Sequence, residues 1–193
     1  MNIEPLILTG NFVTLEPFTE AHRDILKIIA QDERLWVYSP FSGMGDKFDA
    51  WFDNAMEGLQ NGEQYPFAVR RLSDKKIIGT TRYYDINHKH RRLGIGYTWY
   101  IPEVWGSAVN PECKYLLLNQ AFTEWKFNRI AFLIDSRNQH SIAAVKKLGA
   151  KEEGVLRQHM VVKDGHIRDT VVLSIIKSEW PAIRLQLQNR LTT

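Results

Sequence analysis

Small and polar residues gather at two places along the chain, each directly after an apolar run. The first is the segment 103–110, which contains Gly106 and is followed by Pro111. The second is the segment 138–141, which follows the apolar run 130–135. Small residues let backbone N–H groups approach a phosphate, and the start of a helix adds unpaired donors and partial positive charge. The pattern predicts a site for a phosphate-bearing ligand, although a plain strand-to-helix turn with Gly106 at its bend would use the same residues.

Two strands and two helices must position these segments. The spacing predicts a strand over 94–101, a helix from Asn110, a strand over 130–135 and a helix that opens at Asn138 and closes near Gly149. A strand-helix-strand crossover makes the two strands parallel neighbours, and ligands bind beyond the carboxyl ends of such strands. Both helix starts are therefore expected at the same edge of the sheet.

The remaining pattern predicts antiparallel strands and further amphipathic helices. Asp164-Gly165, between two alternating runs, is the strongest hairpin signal, and Ser73-Asp74 marks a second hairpin. The predicted strands span 6–8, 12–15, 66–70, 76–84, 154–162 and 167–176, and the predicted helices start at Thr19, span 46–59 and follow Ser178. We expect an α+β fold, a mixed and mostly antiparallel sheet with helices on both faces, in one domain spanning 1–193.

Composition argues against several classes of protein. A net charge of +3 with 44% hydrophobic residues is ordinary for a globular domain and argues against a broad nucleic-acid-binding face. The one cysteine, Cys113, forms no internal disulfide and is interpreted as a packing residue in a reducing compartment. Residues 1–5 carry no signal-peptide pattern, and no apolar stretch is long enough for a bilayer. We expect a cytoplasmic protein with no membrane contact and, since the histidines lack ligand spacing, no metal.

The densest basic run spans residues 88–92 and contains His88 and His90. A contact with RNA or the ribosome is one interpretation of such a run. A solvated loop between two strands is the simpler one, because turn-forming segments are commonly charged.

Several short motifs occur in a fixed order along nearly the whole chain. They are Phe67-Ala68-Val69, Ile78-Gly79, Ile95-Gly96-Tyr97-Thr98, the run 102–108 with Glu112, Asn138-Gln139-His140-Ser141, Lys147-Leu148-Gly149-Ala150, and the runs 153–157 and 165–169. In this order and spacing the chain resembles the GCN5-related N-acetyltransferase (GNAT) superfamily, within it the branch that acetylates ribosomal-protein N-termini. The resemblance implies the GNAT fold, acetyl-CoA as co-substrate, and a peptide N-terminus or a small amine as acceptor.

The resemblance also implies how acetyl-CoA binds. The two parallel strands would part beyond Tyr100 and Asp135, and the pantetheine arm would lie between them on exposed backbone groups, with the pyrophosphate on the following loop. An acceptor amine would attack the thioester directly, and a backbone N–H near Tyr100 would stabilise the oxyanion. The implied cofactor-binding residues are Thr98, Trp99, Tyr100, Ile101, Trp105, Gly106, Ser107, Ala108, Val109, Asn110, Asn138 and Ser141.

Three positions depart from the family pattern. Glu103 stands where Gln or Arg is usual and would repel a phosphate if it pointed inward, and Ala108 replaces the second glycine. Val145 stands where many members place the tyrosine that protonates the departing thiolate. Ser141 is then the implied substitute acid, directly or through water, with local capping as the alternative. Asn138 would orient the pantetheine arm or a water.

The general base stays open. Asp135 lies at the mouth of the strand pair or simply caps the next turn, and Glu112 matches a family glutamate but also suits a helix start. His88, His90 and His140 are further alternatives. The candidate catalytic residues are Ser141, Asn138 and Asp135.

A second class of function competes with catalysis. Val145 and Glu103 would suit an acyl-CoA-binding sensor or interaction domain without turnover. The acceptor would lie between the amino-terminal helices and the final hairpin. The sequence is compatible with both a monomer and a homodimer. The aromatic residues that line this cleft, or only pack beneath it, are Trp36, Tyr38, Phe41, Trp51 and Phe52.

Overall fold

The fold is given by a computed structural model that describes residues 6–192, with the backbone alone at Thr192. The prediction about a signal peptide falls on residues 1–5, outside the described residues. The strands are β1 (Leu8–Thr9), β2 (Val13–Pro17), β3 (Tyr65–Arg71), β4 (Ile77–Asn87), β5 (Arg92–Tyr100), β6 (Arg129–Asp135), β7 (Lys151–Val161) and β8 (Ile167–Ile176). They form one sheet in the order β1-β2-β3-β4-β5-β6-β8-β7.

The helices follow the predicted positions closely. They are α1 (Arg23–Ile29), α2 (Lys47–Gln60), α3 (Val109–Asn119), α4 (Gln139–Lys147) and α5 (Trp180–Thr192). Helix α3 starts at Val109, one residue before the predicted Asn110, with Ala108 as its N-cap residue. The Ser107 hydroxyl accepts a hydrogen bond from the Val109 N–H at 3.3 Å. Within residues 6–192, no helix is long and apolar enough to cross a bilayer.

The expected topology is confirmed. The pair β5 and β6 is parallel, and the other paired strands are antiparallel, including the hairpins β3–β4 and β7–β8. Each face of the sheet has its own hydrophobic core: α3, α4 and α5 pack on one face, and α1 and α2 pack on the other. The predicted apolar stripe of α2 is buried at Phe48, Trp51 and Phe52.

The parallel strands part earlier than the resemblance implies. Their pairing runs from Arg92↔Arg129 to Gly94↔Ala131 and ends there. The prediction that the strands part beyond Tyr100 and Asp135 was therefore wrong by several residues. A bulge in β5 accompanies the separation. Gly96 is paired with Arg82 and Trp99 with Thr80, so β5 advances by three residues where β4 advances by two. The bulged residue Tyr97 has a φ of 51°. The result is a long gap between β5 and β6 that opens toward the starts of α3 and α4.

Candidate functional site

The edge of β5 that faces this gap offers backbone groups. The Ile101 N–H donates to the Ile78 carbonyl at 2.8 Å, so the backbone of Ile101 points toward β4. Because neighbouring residues alternate in an antiparallel ladder, the backbone of Tyr100 points the other way, into the gap. The Trp105 indole N–H already donates to the Tyr100 carbonyl at 2.8 Å. The Tyr100 N–H is the group that this arrangement leaves facing the gap.

The side chains of the predicted strand contacts are engaged inside the protein. The Thr98 hydroxyl bonds to the Thr81 hydroxyl at 2.8 Å, and the Trp99 ring is buried in the core beneath α2. The Tyr100 ring is buried, and its hydroxyl donates to Asn110 Oδ1 at 3.4 Å. Any contact of this strand with a ligand in the gap is therefore made by backbone. The backbone groups of Trp99 and Ile101 point toward β4, where Trp99 is paired with Thr80 and Ile101 is bonded to Ile78.

The loop between β5 and α3 presents unpaired amides at the mouth of the gap. Gly106 has a φ of 75°, a conformation that favours glycine, and no atom lies within 4 Å of the position a Cβ would take. In the part of the chain that the structure describes, the N–H groups of Gly106, Ala108 and Asn110 have no hydrogen-bond acceptor. Together with the start of α3, they form an anion-binding arrangement. Val109 is buried in the core.

Two acidic residues near this loop have distinct environments. Glu103 is exposed. Hydrogen bonds to Asp32 and Asp74 raise the pKa values of Arg34 and Arg71, and the charge of Glu103 adds a smaller effect in the same direction. Glu112 is 1% exposed and accepts three backbone N–H groups of the turn that opens β2. These donors are Asn11 at 2.6 Å, Phe12 at 2.7 Å and Val13 at 2.9 Å. The carboxylate of Glu112 thus serves as a clamp between α3 and β2.

The start of α4 lies at the other side of the gap. Asn138 is the N-cap residue, and its Oδ1 accepts the Ser141 N–H at 3.0 Å. Its side-chain amide group remains available to donate. The Ser141 hydroxyl is half-buried and has no hydrogen-bond partner among residues 6–192. Val145 is buried in the core one turn further along.

Asp135 ends β6 and is held by Arg137. Its carboxylate accepts the Arg137 N–H at 2.9 Å and the guanidinium at 3.0 and 2.8 Å. Burial raises the pKa of Asp135, but the bonds and charge of Arg137, helped by Arg168, outweigh it and leave the pKa below its ordinary value. A carboxylate with a lowered pKa is a weaker proton acceptor, and these contacts are those of a turn cap.

A further buried polar residue near the gap, a lysine, was not predicted from the sequence. Lys114 is 5% exposed, and its Nζ donates to the Thr98 hydroxyl at 2.8 Å beneath the bulge of β5. Burial lowers its pKa to about 8, with a smaller opposing effect from Cys113. Leu117 and Leu118 follow Lys114 by three and four residues, so helical spacing could have placed it on the buried stripe.

The three histidine alternatives are exposed, and His140 lies at the start of α4 between Asn138 and Ser141. His88 and His90 are exposed in the turn between β4 and β5, and His140 is exposed on α4. Among the residues that the structure describes, no group of three or more His, Cys, Asp or Glu side chains is placed to hold a metal ion.

Comparisons with known proteins bear on this arrangement. A family model described as an acetyltransferase (GNAT) domain matches residues 13–151. The chain is 28% identical over 178 residues to YoaA, an uncharacterised N-acetyltransferase of Bacillus subtilis, covering 83% of this chain and 97% of that protein. A GCN5-related N-acetyltransferase from Brucella melitensis has a TM-score of 0.89 at 27% identity, covering 99% of this chain and 87% of the other. Mycobacterium smegmatis RimJ in complex with CoA-disulfide is similar in fold, with a TM-score of 0.82 at 22% identity and coverage of 97% and 96%.

Proposed function

We propose, from the premise that this chain belongs to the GNAT acetyltransferase family, that it transfers the acetyl group of acetyl-CoA to a primary amine. The observation that carries the proposal is the gap between β5 and β6, with unpaired amides and the starts of α3 and α4 at its mouth. Such an opening suits an extended arm that ends in a diphosphate.

The residues of this chain would share the binding of acetyl-CoA as follows. The amides of Gly106, Ala108 and Asn110 would hold the pyrophosphate, since they lack acceptors within the described residues. The backbone edge of β5 at Thr98 and Tyr100 would pair with the pantetheine arm. The Asn138 side-chain amide would donate to a carbonyl of the same arm, because its oxygen is already bonded to the Ser141 N–H.

The transfer would proceed by direct attack in a ternary complex. The amine nitrogen forms a bond to the thioester carbon, the Tyr100 N–H stabilises the developing oxyanion, and the carbon–sulfur bond breaks. The Ser141 hydroxyl donates a proton to the departing thiolate and regains one from water. Water at the mouth of the gap removes the proton of the amine, since Asp135 and Glu112 are held by other groups.

The acceptor class is carried by the motifs shared with the ribosomal branch. We propose a peptide N-terminus or a small amine, a cytoplasmic location, and one domain over residues 1–193. The likeness of fold to RimJ supports this branch without specifying the acceptor.

Acetyl-CoA is expected to raise the melting temperature of the protein. At about 100 times its Kd, a ligand that binds only the folded state adds about 2.7 kcal/mol, which corresponds to roughly 5–10 °C for a chain of this size. Differential scanning fluorimetry with acetyl-CoA measures the shift. Gly106→Ala should reduce it, while Gly62→Ala is the matched control, since Gly62 also has a left-handed φ of 72° and open space around it.

No shift at millimolar acetyl-CoA would overturn the cofactor assignment. Release of free CoA in the presence of a panel of amines separates an enzyme from an acyl-CoA-binding sensor. A thermal shift without release for any amine would favour the sensor, for which the buried Val145 in place of a tyrosine acid is the supporting observation.

Ser141→Ala is expected to lower kcat by roughly 10²-fold, the low end for loss of a general acid. Because the Ser141 N–H still bonds to Asn138, the helix cap and the KM for acetyl-CoA should change little. Steady-state kinetics measures both constants, and Ser136→Ala is the control from the same turn. An unchanged kcat would assign protonation of the thiolate to water.

A further inference from the structure

Arg82 on β4 is enclosed on the face of the sheet that carries α1 and α2. It is 0% exposed. Its guanidinium carbon lies 4.2 Å from the centroid of the Tyr97 ring and 5.2 Å from that of Trp51. Its Nη1 donates to Gln64 Oε1 at 2.6 Å. Aromatic rings therefore hold the guanidinium in place while leaving part of it unbonded.

Two donors of this guanidinium have no partner. Arg82 Nε and Nη2, together with Trp99 Nε1, are the buried side-chain polar atoms that lack a hydrogen bond in the described part of the chain. Arg82 and Trp99 both border the same ring, since the Trp51 and Trp99 centroids are 5.8 Å apart. Unsatisfied buried donors are rare and costly, so three of them beside one ring indicate a missing acceptor.

The unpaired edge of Arg82 is the edge that binds carboxylates elsewhere in this protein. Nε and Nη2 form a fork that matches two carboxylate oxygens. The pairs that use this fork are Arg23 with Glu20, Arg34 with Asp32, Arg70 with Glu16, Arg71 with Asp74 and Arg137 with Asp135. Arg82 has no such partner in the described part of the chain.

Among residues 6–192, no acid compensates the charge of Arg82. Burial lowers its pKa to about 10, and Tyr97 is the one titratable group that opposes this effect, so the guanidinium stays charged at neutral pH. A buried charge without a counter-ion is destabilising. An arginine kept here is thus better explained by a ligand than by stability.

The position of Arg82 relates this fork to the proposed reaction. Arg82 is opposite Gly96, at the start of the bulge in β5, and the same strand leads to Tyr100 at the gap. Tyr97 covers the guanidinium and is stacked on Phe41, with centroids 5.2 Å apart, and Phe41 is 39% exposed. A ligand would reach the fork by displacing these two rings, from the side between α2 and the β7–β8 hairpin. The hairpin contacts the segment that carries Phe41, since the Lys163 N–H donates to the Pro40 carbonyl at 3.0 Å.

We propose that Arg82 is the receptor for a carboxylate of the acceptor, so that the acetylated amine belongs to a molecule that also carries a carboxylate group. The two oxygens bind Nε and Nη2, and the rings of Trp51 and Trp99 border the adjoining carbon atoms. The identification of this ligand as the acetyl acceptor rests on the proposed acetyl transfer. The carboxylate site itself does not depend on it.

The first experiment measures binding without acetyl-CoA. Titration with 3-phenylpropionate, followed by tryptophan fluorescence, should saturate for the native protein, and 3-phenylpropanamide, which lacks the charge, should bind at least tenfold more weakly. Arg82→Gln should weaken the carboxylate at least tenfold. Arg71→Gln is the matched control, because the Arg71 fork is occupied by Asp74, and it should bind like the native protein. Equal binding of acid and amide, or no effect of Arg82→Gln, would overturn the proposal.

Stability separates a binding role from a structural one. The melting temperature of Arg82→Gln should equal or exceed that of the native protein, since a buried unpaired charge is removed. A large loss of stability would instead assign Arg82 to the core. If that variant does not fold, Arg82→Lys keeps the charge without the fork and should still lose carboxylate binding at least tenfold.

The second experiment uses turnover. Dipeptides with a free C-terminal carboxylate should have a kcat/KM at least tenfold above that of the same dipeptides as C-terminal amides. Arg82→Gln should remove this preference through KM of the acceptor, with KM for acetyl-CoA unchanged. Turnover without the preference would overturn this inference and leave the proposed function standing. Binding of 3-phenylpropionate through Arg82 with no acetylation of any amine would overturn the proposed function and leave the carboxylate site.

Discussion

Replacing Glu112 with alanine is expected to lower the free energy of unfolding by about 3 kcal/mol. The substitution removes a buried carboxylate that accepts hydrogen bonds from three backbone N–H groups. Hydrogen bonds to charged groups contribute about 1.5–3 kcal/mol each. For a chain of this size the melting temperature should fall by roughly 6–12 °C. Chemical denaturation monitored by circular dichroism measures the change. The loss is not the full sum of three bonds, since water can reach part of the exposed turn.

The fit around Glu112 makes this effect specific. A Cβ at Gly10 would lie 2.4 Å from the carboxyl carbon of Glu112, so the turn and the carboxylate are closely matched. Glu103→Ala, an exposed acid near the same helix, is the control and should change stability by less than about 0.5 kcal/mol. Equal stability of the two variants would contradict the clamp. At a temperature where Glu112→Ala remains folded, a kcat near that of the native enzyme would exclude Glu112 as the general base.

Lys114→Met is expected to raise the free energy of unfolding at pH 7, because it removes a buried ammonium that has hydroxyl partners but, within residues 6–192, no carboxylate partner. The pKa of Lys114 is lowered to about 8 from an ordinary 10.5, which corresponds to a gain on the order of 3 kcal/mol. The Thr81 and Thr98 hydroxyls remain bonded to each other at 2.8 Å in the variant. The two hydroxyls are therefore not left without a partner.

The pH dependence gives this prediction its sign. Between pH 8 and 10.5 the unfolded chain holds one proton on Lys114 that the folded chain has released, so the lysine makes the native protein more stable as pH rises. The advantage of Lys114→Met should thus be full below pH 8 and vanish toward pH 10.5. Burial also raises the pKa of Cys113 to about 12, which lowers stability above pH 9 in both proteins. Because the charge of Lys114 lowers this pKa, the loss of stability above pH 9 is at least as large in Lys114→Met.

Denaturation at several pH values between 6 and 10.5 measures this difference. Lys147→Met is the control, since Lys147 is exposed on α4, and it should change stability by less than about 0.5 kcal/mol. A destabilised Lys114→Met at pH 7, or a difference that stays constant across the range, would contradict the assignment of an uncompensated buried charge.

Local patterns predicted the elements well, because each depends on residues close in sequence. Asp164-Gly165 set the β7–β8 hairpin, and the apolar stripe of α2 set the face that it buries. The predicted start of α3 at Asn110 was off by one residue, since the helix begins at Val109 with Ala108 as its N-cap residue. The place where β5 and β6 part was wrong by more, because the bulge at Tyr97 depends on pairing with β4, which is distant in sequence.

The residues with unusual chemistry could not be found by spacing alone. Glu112 bonds to amides about a hundred residues away, and Arg82 is enclosed by rings from α2 and β5. Whether a charged residue has a partner is decided by contacts across the whole chain. In a sequence, Arg82 without an acid looks the same as Arg70 with one.

The sequence by itself determined the family, the order of strands and helices, and the two helix starts that flank the gap between β5 and β6, because motif order and periodicity are local properties. Only the tertiary structure decided which polar groups are satisfied. It left the amides of the loop after β5 and the fork of Arg82 unpaired, while it engaged Glu112 with the β2 turn and Asp135 with Arg137. The physical reason is that hydrogen-bond satisfaction depends on which distant residues folding brings together, and the binding capacity of a site is what remains after those bonds are made.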